Sequence, residues 1–417
     1  MRTLVKSSVL MFGALGTSLL RADQFHWNNL VVGERAMGLG GAFCAVADDA
    51  SAIIYNPAGI AFALSNDVTG SANAFYKKQV TYKKALGTKD FVERSGGTLA
   101  PFFGGMQKMD SLTKGLAFAF GLYTIDSELK DQDDTISNLG SLDRFHRTAN
   151  IRSSTTGAGA AVAKRFGSNF SAGLSLSVIT IDELVQEYQD VSYTNQSYLS
   201  QNFRTQLSGS GLDAGLGVQY ALGTWSLGLV VKLRHLLSDS YDVGLDRRTN
   251  RDDTGNPGTI EVSQVDQKIE GALGALPTEV RAGVAWFPTT DLLWTFDLIY
   301  EGQAKSEKLP TIYNRQAVTN FATGAEYYIT PSIPLRVGTF TNYDARPKLV
   351  KGKTGQLDHV DYLGQTLFLG WVQPNSQVAG GLIYQGGKGE AQKVQSEKIQ
   401  TVEAQSYTFA ISATHSF

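Results

Sequence analysis

Two stretches display the pattern that governs most of this chain. Along 292–300, Leu292, Trp294, Phe296, Leu298 and Tyr300 share one face, while Thr295, Asp297 and Glu301 share the other. Along 225–233, Trp225, Leu227, Leu229, Val231 and Leu233 face one way, and Ser226, Gly228, Lys232 and Arg234 the other. A repeat of two is the mark of a strand with unlike faces. The same alternation predicts strands over 67–84, 93–107, 113–126, 147–166, 169–188, 202–222, 224–238, 276–287, 291–304, 317–329, 333–344, 356–373, 376–390 and 399–417. That is fourteen, an even number, as a closed bacterial membrane barrel requires.

The connections alternate in length. Gly167-Ser168, Leu222-Gly223, Pro288-Thr289-Thr290, Thr330-Pro331-Ser332 and Pro374-Asn375 read as tight turns. Long polar stretches near 127–146, 189–201 and 239–275 read as loops at the opposite rim. Alternation alone does not separate a membrane sheet from a water-soluble one. The tryptophans help: Trp225, Trp286, Trp294 and Trp371 all lie near short turns, which predicts an aromatic belt at the periplasmic interface, with chance clustering the alternative. The last strand alternates through Tyr407, Phe409, Ile411, Ala413, His415 and Phe417. Ending inside a strand makes sense if that strand pairs with the first and removes an edge. Its terminal Phe resembles the signal read by outer-membrane barrel-assembly machinery.

Residues 33–63, GERAMGLGGAFCAVADDASAIIYNPAGIAFA, break the alternation. The stretch is rich in small residues and too short for a core of its own. Asp48 or Asp49 can cap a short helix, and Asn56-Pro57 places an N-cap before a proline at the first helical position. No strand precedes the glycines and no Lys follows them, which argues against a phosphate loop. A small-residue, partly helical element ahead of a large closed sheet suggests a plug. The stretch GERAMGLGGAFCAVADDASAIIYNPAG resembles the N-terminal hatch of the FadL/TodX family of outer-membrane transporters, whose Asn-Pro-Ala motif is matched by Asn56, Pro57 and Ala58. The resemblance implies passive uptake of a hydrophobic compound, a fatty acid or hydrocarbon, with lateral release into outer-membrane lipid. A rival role for such a barrel is as a partner in protein secretion or surface assembly.

The expected organisation is therefore all-β: a signal peptide over 1–22, a hatch over 23–64 and a 14-stranded antiparallel transmembrane β-barrel over 65–417. Arg2 and Lys6, the apolar run Val9 to Leu20, and Leu20-Arg21-Ala22 supply the three parts of the signal peptide. The net charge of -2 gives no basic surface for nucleic acid. Cys44 is the single cysteine and reads as a small buried hydrophobe. The five histidines stand in no catalytic motif, so no enzyme is expected, and no cofactor or metal is implied. For a wall gap or bulge the candidates are Gly104, Gly105 and Gly121; close packing against the hatch explains them equally well. Inward-facing Ile179, Ile181, Phe340 and Phe368 are candidates for an apolar pocket, though packing against the hatch explains them as well. Arg234, Arg281 or Arg336 could receive a ligand carboxylate, while inward charges mostly pair with each other or meet lumen water.

Overall fold

The computed structural model describes residues 25–26, 30–86, 88–252, 254–393 and 398–417; the signal peptide expected over 1–22 lies outside the described residues. The strands are β1 (Asp67–Leu86), β2 (Lys89–Lys108), β3 (Leu116–Leu139), β4 (Leu142–Phe166), β5 (Phe170–Tyr193), β6 (Tyr198–Leu222), β7 (Trp225–Arg251) and β8 (Pro257–Glu270). They continue as β9 (Glu279–Trp286), β10 (Leu292–Glu301), β11 (Val318–Thr330), β12 (Ile333–Asn342), β13 (His359–Gln373), β14 (Ser376–Ala391) and β15 (Gln400–Ser416). β1 pairs with β15 from Asp67↔Ser416 to Tyr82↔Val402, which closes the cylinder. β7 pairs with β9 from Trp225↔Trp286 and, further along, with β8, which stands outside the cycle. The barrel itself therefore has 14 strands, all antiparallel.

Three stretches expected as loops are strands. Residues 127–146 and 189–201 complete the upper parts of β3 to β6, and 239–275 holds the end of β7 and all of β8. β3 to β7 are 24 to 27 residues long. A membrane crossing takes only about 9–11. The surplus rises beyond the bilayer as a tall wall on one side, where both faces carry polar groups and the alternation of apolar with polar is lost. β9, β10 and β12, at 8 to 10 residues, form a low wall on the other side.

The outer face is apolar: Leu174, Leu176, Leu227, Leu229, Leu367, Phe409 and Ile411 are all exposed. Trp225 and Trp286 stack at 5.5 Å between ring centres beside the short turns. Inward positions such as Ser175, Lys232, Arg234, Thr295 and Asp297 are polar and buried. A band of this kind exceeds what a monomer keeps in water and matches acyl chains. Among the described residues no helix is long and apolar enough to cross a membrane; the strands do the crossing.

Candidate functional site

The lower bore is filled by residues 30–66, which hold two short helices, α1 (Glu34–Gly38) and α2 (Ala52–Tyr55), and a 3-10 turn over Pro57–Phe62. Such short pieces leave many backbone groups unpaired, and buried ones must find partners elsewhere. The wall supplies them. Asp297 accepts from the amides of Phe43 (3.0 Å) and Cys44 (2.9 Å), with Arg281 at 3.8 Å. Ser226 and Ser171 donate to the carbonyls of Ala45 (2.7 Å) and Ala58 (2.9 Å). Lys232 donates to the Ile54 carbonyl, and Thr366 to that of Gly38 at 2.8 Å. At the periplasmic rim Arg35 forks between Asp48 (3.0 Å) and Glu326 (2.9 Å), while Arg336 joins Glu34 to Glu326.

Asn56 sits at the centre of this packing. Its Oδ1 accepts from the Ala58 amide at 3.1 Å, capping the 3-10 turn that Pro57 opens. Its Nδ2 donates to the carbonyls of Cys44 (2.8 Å) and, on β6, Val218 (3.1 Å). Asp49 receives the amide (2.8 Å) and hydroxyl (2.5 Å) of Ser51, fixing the turn into α2. Burial pushes the Asp49 carboxyl up to about 6, against the pull of the Ser51 hydrogen bonds.

Close approach of hatch to wall depends on glycines. A Cβ on Gly173 would lie 2.6 Å from the Pro57 carbonyl carbon, and one on Gly324 2.5 Å from the Leu39 oxygen. Gly217, Gly228, Gly283 and Gly338 face Asn56, Cys44 and Gly40 in the same way.

Above the hatch the bore changes character. Ile179, Ile181, Leu207, Tyr241 and Val243 meet Ala272, Leu273 and Leu276 from the β8–β9 connection and Tyr313 of α3 (Pro310–Tyr313) in one buried apolar cluster. Beneath it lies a cavity of about 20 Å³ lined by His26, Ile125, Asp126, Thr155, Ile179, Ile181, Leu276 and Arg315. Arg315 comes from the β10–β11 connection, which folds into the bore, and its guanidinium lies 5.4 Å from the Phe25 ring centre. Burial lowers Arg315 to about 10, with the Glu301 carboxylate opposing the shift.

Beside this cavity the wall is discontinuous. β2 pairs with β3 only from Phe102↔Tyr123 to Lys108↔Ala117. Beyond that, no ladder joins 94–101 to 124–129 among the described residues. Two local causes coincide. Pro101 lacks an amide hydrogen to donate, and the β1–β2 register shifts between Ser71 and Tyr76 around it. On β3 a bulge falls between Thr124 and Asp126, so Ile125 is the extra residue.

The residues singled out in the sequence separate into three groups. Asn56, Pro57 and Ala58 lie in the hatch against β5 and β6. Gly104 and Gly121 oppose one another, and Gly105 opposes Phe120, in the unbroken part of the β2–β3 ladder. A Cβ on Gly121 would lie 3.1 Å from Phe102 and 3.4 Å from hatch residue Ile53, so this glycine makes room for inward packing. Ile179 and Ile181 line the cavity, whereas Phe340 and Phe368 pack against Val31, Met37 and Ala42 of the hatch. Arg336 pairs with Glu34 and Glu326, Arg281 with Glu279 and Asp297, and Arg234 with Asp213 and Glu279. Arg315, His26 and Pro101 escaped the sequence reading. Pro101 was legible, since a proline inside an alternating segment marks a ladder defect. Arg315 was not, because it sits on a connection with no periodicity.

These features define a plugged β-barrel of the outer-membrane type. No family model matches the chain, and no curated protein matches it. Solved structures do match. A Pseudomonas aeruginosa FadL homologue is 12% identical, with a TM-score of 0.63 over 94% of this chain and 100% of that one. The P. putida toluene transporter TodX is 13% identical, with a TM-score of 0.67 over 93% and 98%. The Ralstonia pickettii toluene transporter TbuX is 12% identical, with a TM-score of 0.61 over 93% and 99%. The chain thus has the fold of the FadL/TodX channels over nearly its whole length.

Proposed function

We propose that this chain is a non-enzymatic channel for passive uptake of hydrophobic small molecules, fatty acids or hydrocarbons, that enter from the tall rim and leave sideways through the wall. One observation carries the reading: the apolar cluster, with the small cavity beneath it, lies beside the β2–β3 discontinuity and above the hatch. An apolar molecule that moves from chamber to acyl chains never crosses water, which removes the desolvation barrier that a periplasmic exit would impose. The similarity to toluene transporters supports the same class of cargo.

The cavity of about 20 Å³ has room for no more than a water molecule. A ligand therefore displaces part of the lining, and Leu276 on the β8–β9 connection, Arg315 on the β10–β11 connection and His26 near the start of the hatch are the pieces not held in a strand. His26 is held by the Val360 carbonyl at 2.7 Å and lies 3.8 Å from Asp344. The test is uptake of labelled fatty acid and of toluene by cells lacking this chain and cells expressing it. Faster uptake of either on expression supports the reading. Equal uptake of both removes it.

A further inference from the structure

The seam between β2 and β3 is not simply empty. Gln132 of β3 reaches across it: its Nε2 donates to the Val92 carbonyl at 2.8 Å, and its Oε1 accepts from the Arg94 amide at 3.1 Å. One side-chain amide thus takes the place of a rung of backbone pairing on β2. Paired strands lie about 4.8 Å apart, so a glutamine can fill this role only where the strands have separated by a side chain's reach. Lys130 ties the same level from within, 2.7 Å from Glu93. The backbone ladder resumes at Phe102↔Tyr123. Between these limits Leu129, half exposed, leans onto β2, where a Cβ on Gly97 would lie 3.1 Å from its Cδ1. Outward residues change here from Phe118, Phe120 and Leu122 to Asp131 and Asp133, so the seam lies near the outer edge of the apolar band.

We propose that Leu129, resting on Gly97 beneath the Gln132 clasp, is the bar across this seam and sets the width of molecule that leaves the chamber. This rests on the transport reading above. Gly97 gives the bar its seat, because any larger residue there would collide with Leu129 or force the strands further apart. Leu129 pairs with Arg152 of β4 but has no ladder partner on β2, so its side chain can swing aside by a rotamer change without breaking a backbone hydrogen bond. A narrow chain passes with a rotamer change, whereas a wide ring system needs the clasp to part as well.

The test uses whole cells and two probes, linear dodecanoate and polycyclic pyrene, with barrel assembly checked by heat-modifiable gel mobility. Leu129→Ala is expected to raise pyrene uptake roughly fivefold, the factor that relief of a single contact supplies, with dodecanoate little changed. Leu129→Trp is expected to lower pyrene uptake by a similar factor. Gln132→Ala should act as Leu129→Ala does, through the clasp. Leu129→Ala and Leu129→Trp barrels that assemble and match the unmodified chain on both probes would overturn the bar, while the transport reading stands. If the unmodified chain takes up neither probe faster than cells without it, the transport reading fails and the bar with it.

Discussion

The lower and upper halves of the bore are filled by different chemistry. Below, apolar packing between hatch and wall is pinned by a dense set of directional contacts: Asp297 to two amides, Asn56 to two carbonyls, Arg35 to two acids. Above, Ile179, Ile181, Leu207 and Tyr241 meet Leu273, Leu276 and Tyr313 largely through apolar surface, with the Leu273 amide donating to Asp239 and Ser306 to the Ala272 carbonyl. Directional contacts fix one arrangement and cost dearly when one partner is lost. Apolar contacts allow rearrangement among similar packings. On the proposed reading, a floor pinned by the first kind stays shut, and a chamber dominated by the second remodels around a guest.

The contrast is broken most sharply by removing its peg. Asp297→Ala strands the Phe43 and Cys44 amides and takes from Arg281 one of its two carboxylate partners, and a lost partner of a buried charge costs about 3–5 kcal/mol. The expected outcome is an assembled barrel with a loosened hatch, read as faster amide exchange over 39–47 and increased sensitivity to large antibiotics. In the chamber, Ile179→Ala should cost about 2–4 kcal/mol by enlarging the cavity, seen as a lower unfolding temperature. It should also change which hydrophobe is taken up fastest while leaving antibiotic exclusion intact. Asn56→Ala comes next, at roughly 1–2 kcal/mol for the cap and the bonds to Cys44 and Val218. Its effect should be confined to exchange of the 56–62 amides.

The smallest effect concerns Asp49, whose carboxyl is raised from 3.8 to about 6. An acid with a raised folded-state value binds its proton more tightly when folded, so its contribution falls as pH rises from about 4 through 6. Hatch protection should be greater at pH 4.5 than at pH 7, and Asp49→Asn should abolish the difference. A pH response that persists in the variant would mean that another group is responsible.

The barrel was readable where one face meets lipid and the other the bore, as in β7 up to Arg234 and in β10. It was unreadable where the tall wall stands in water on its outside, and β8 was missed for that reason. The hatch announced itself by failing to alternate, and Asn56-Pro57 by cap grammar. The wall's inward glycines were visible as letters but not as a ring, because their partners lie more than a hundred residues away. Arg315 reaches the cavity by tertiary folding of a connection, for which no local signal exists.

The most direct measurement compares two permeabilities of the purified protein in liposomes: to ions and glucose, and to toluene or dodecanoate delivered from outside. The proposed lateral route above a closed hatch predicts no glucose passage and negligible conductance, with transfer of the hydrophobe into the bilayer well above that of empty liposomes. Porin-like glucose passage, or hydrophobe transfer no faster than without protein, would contradict it.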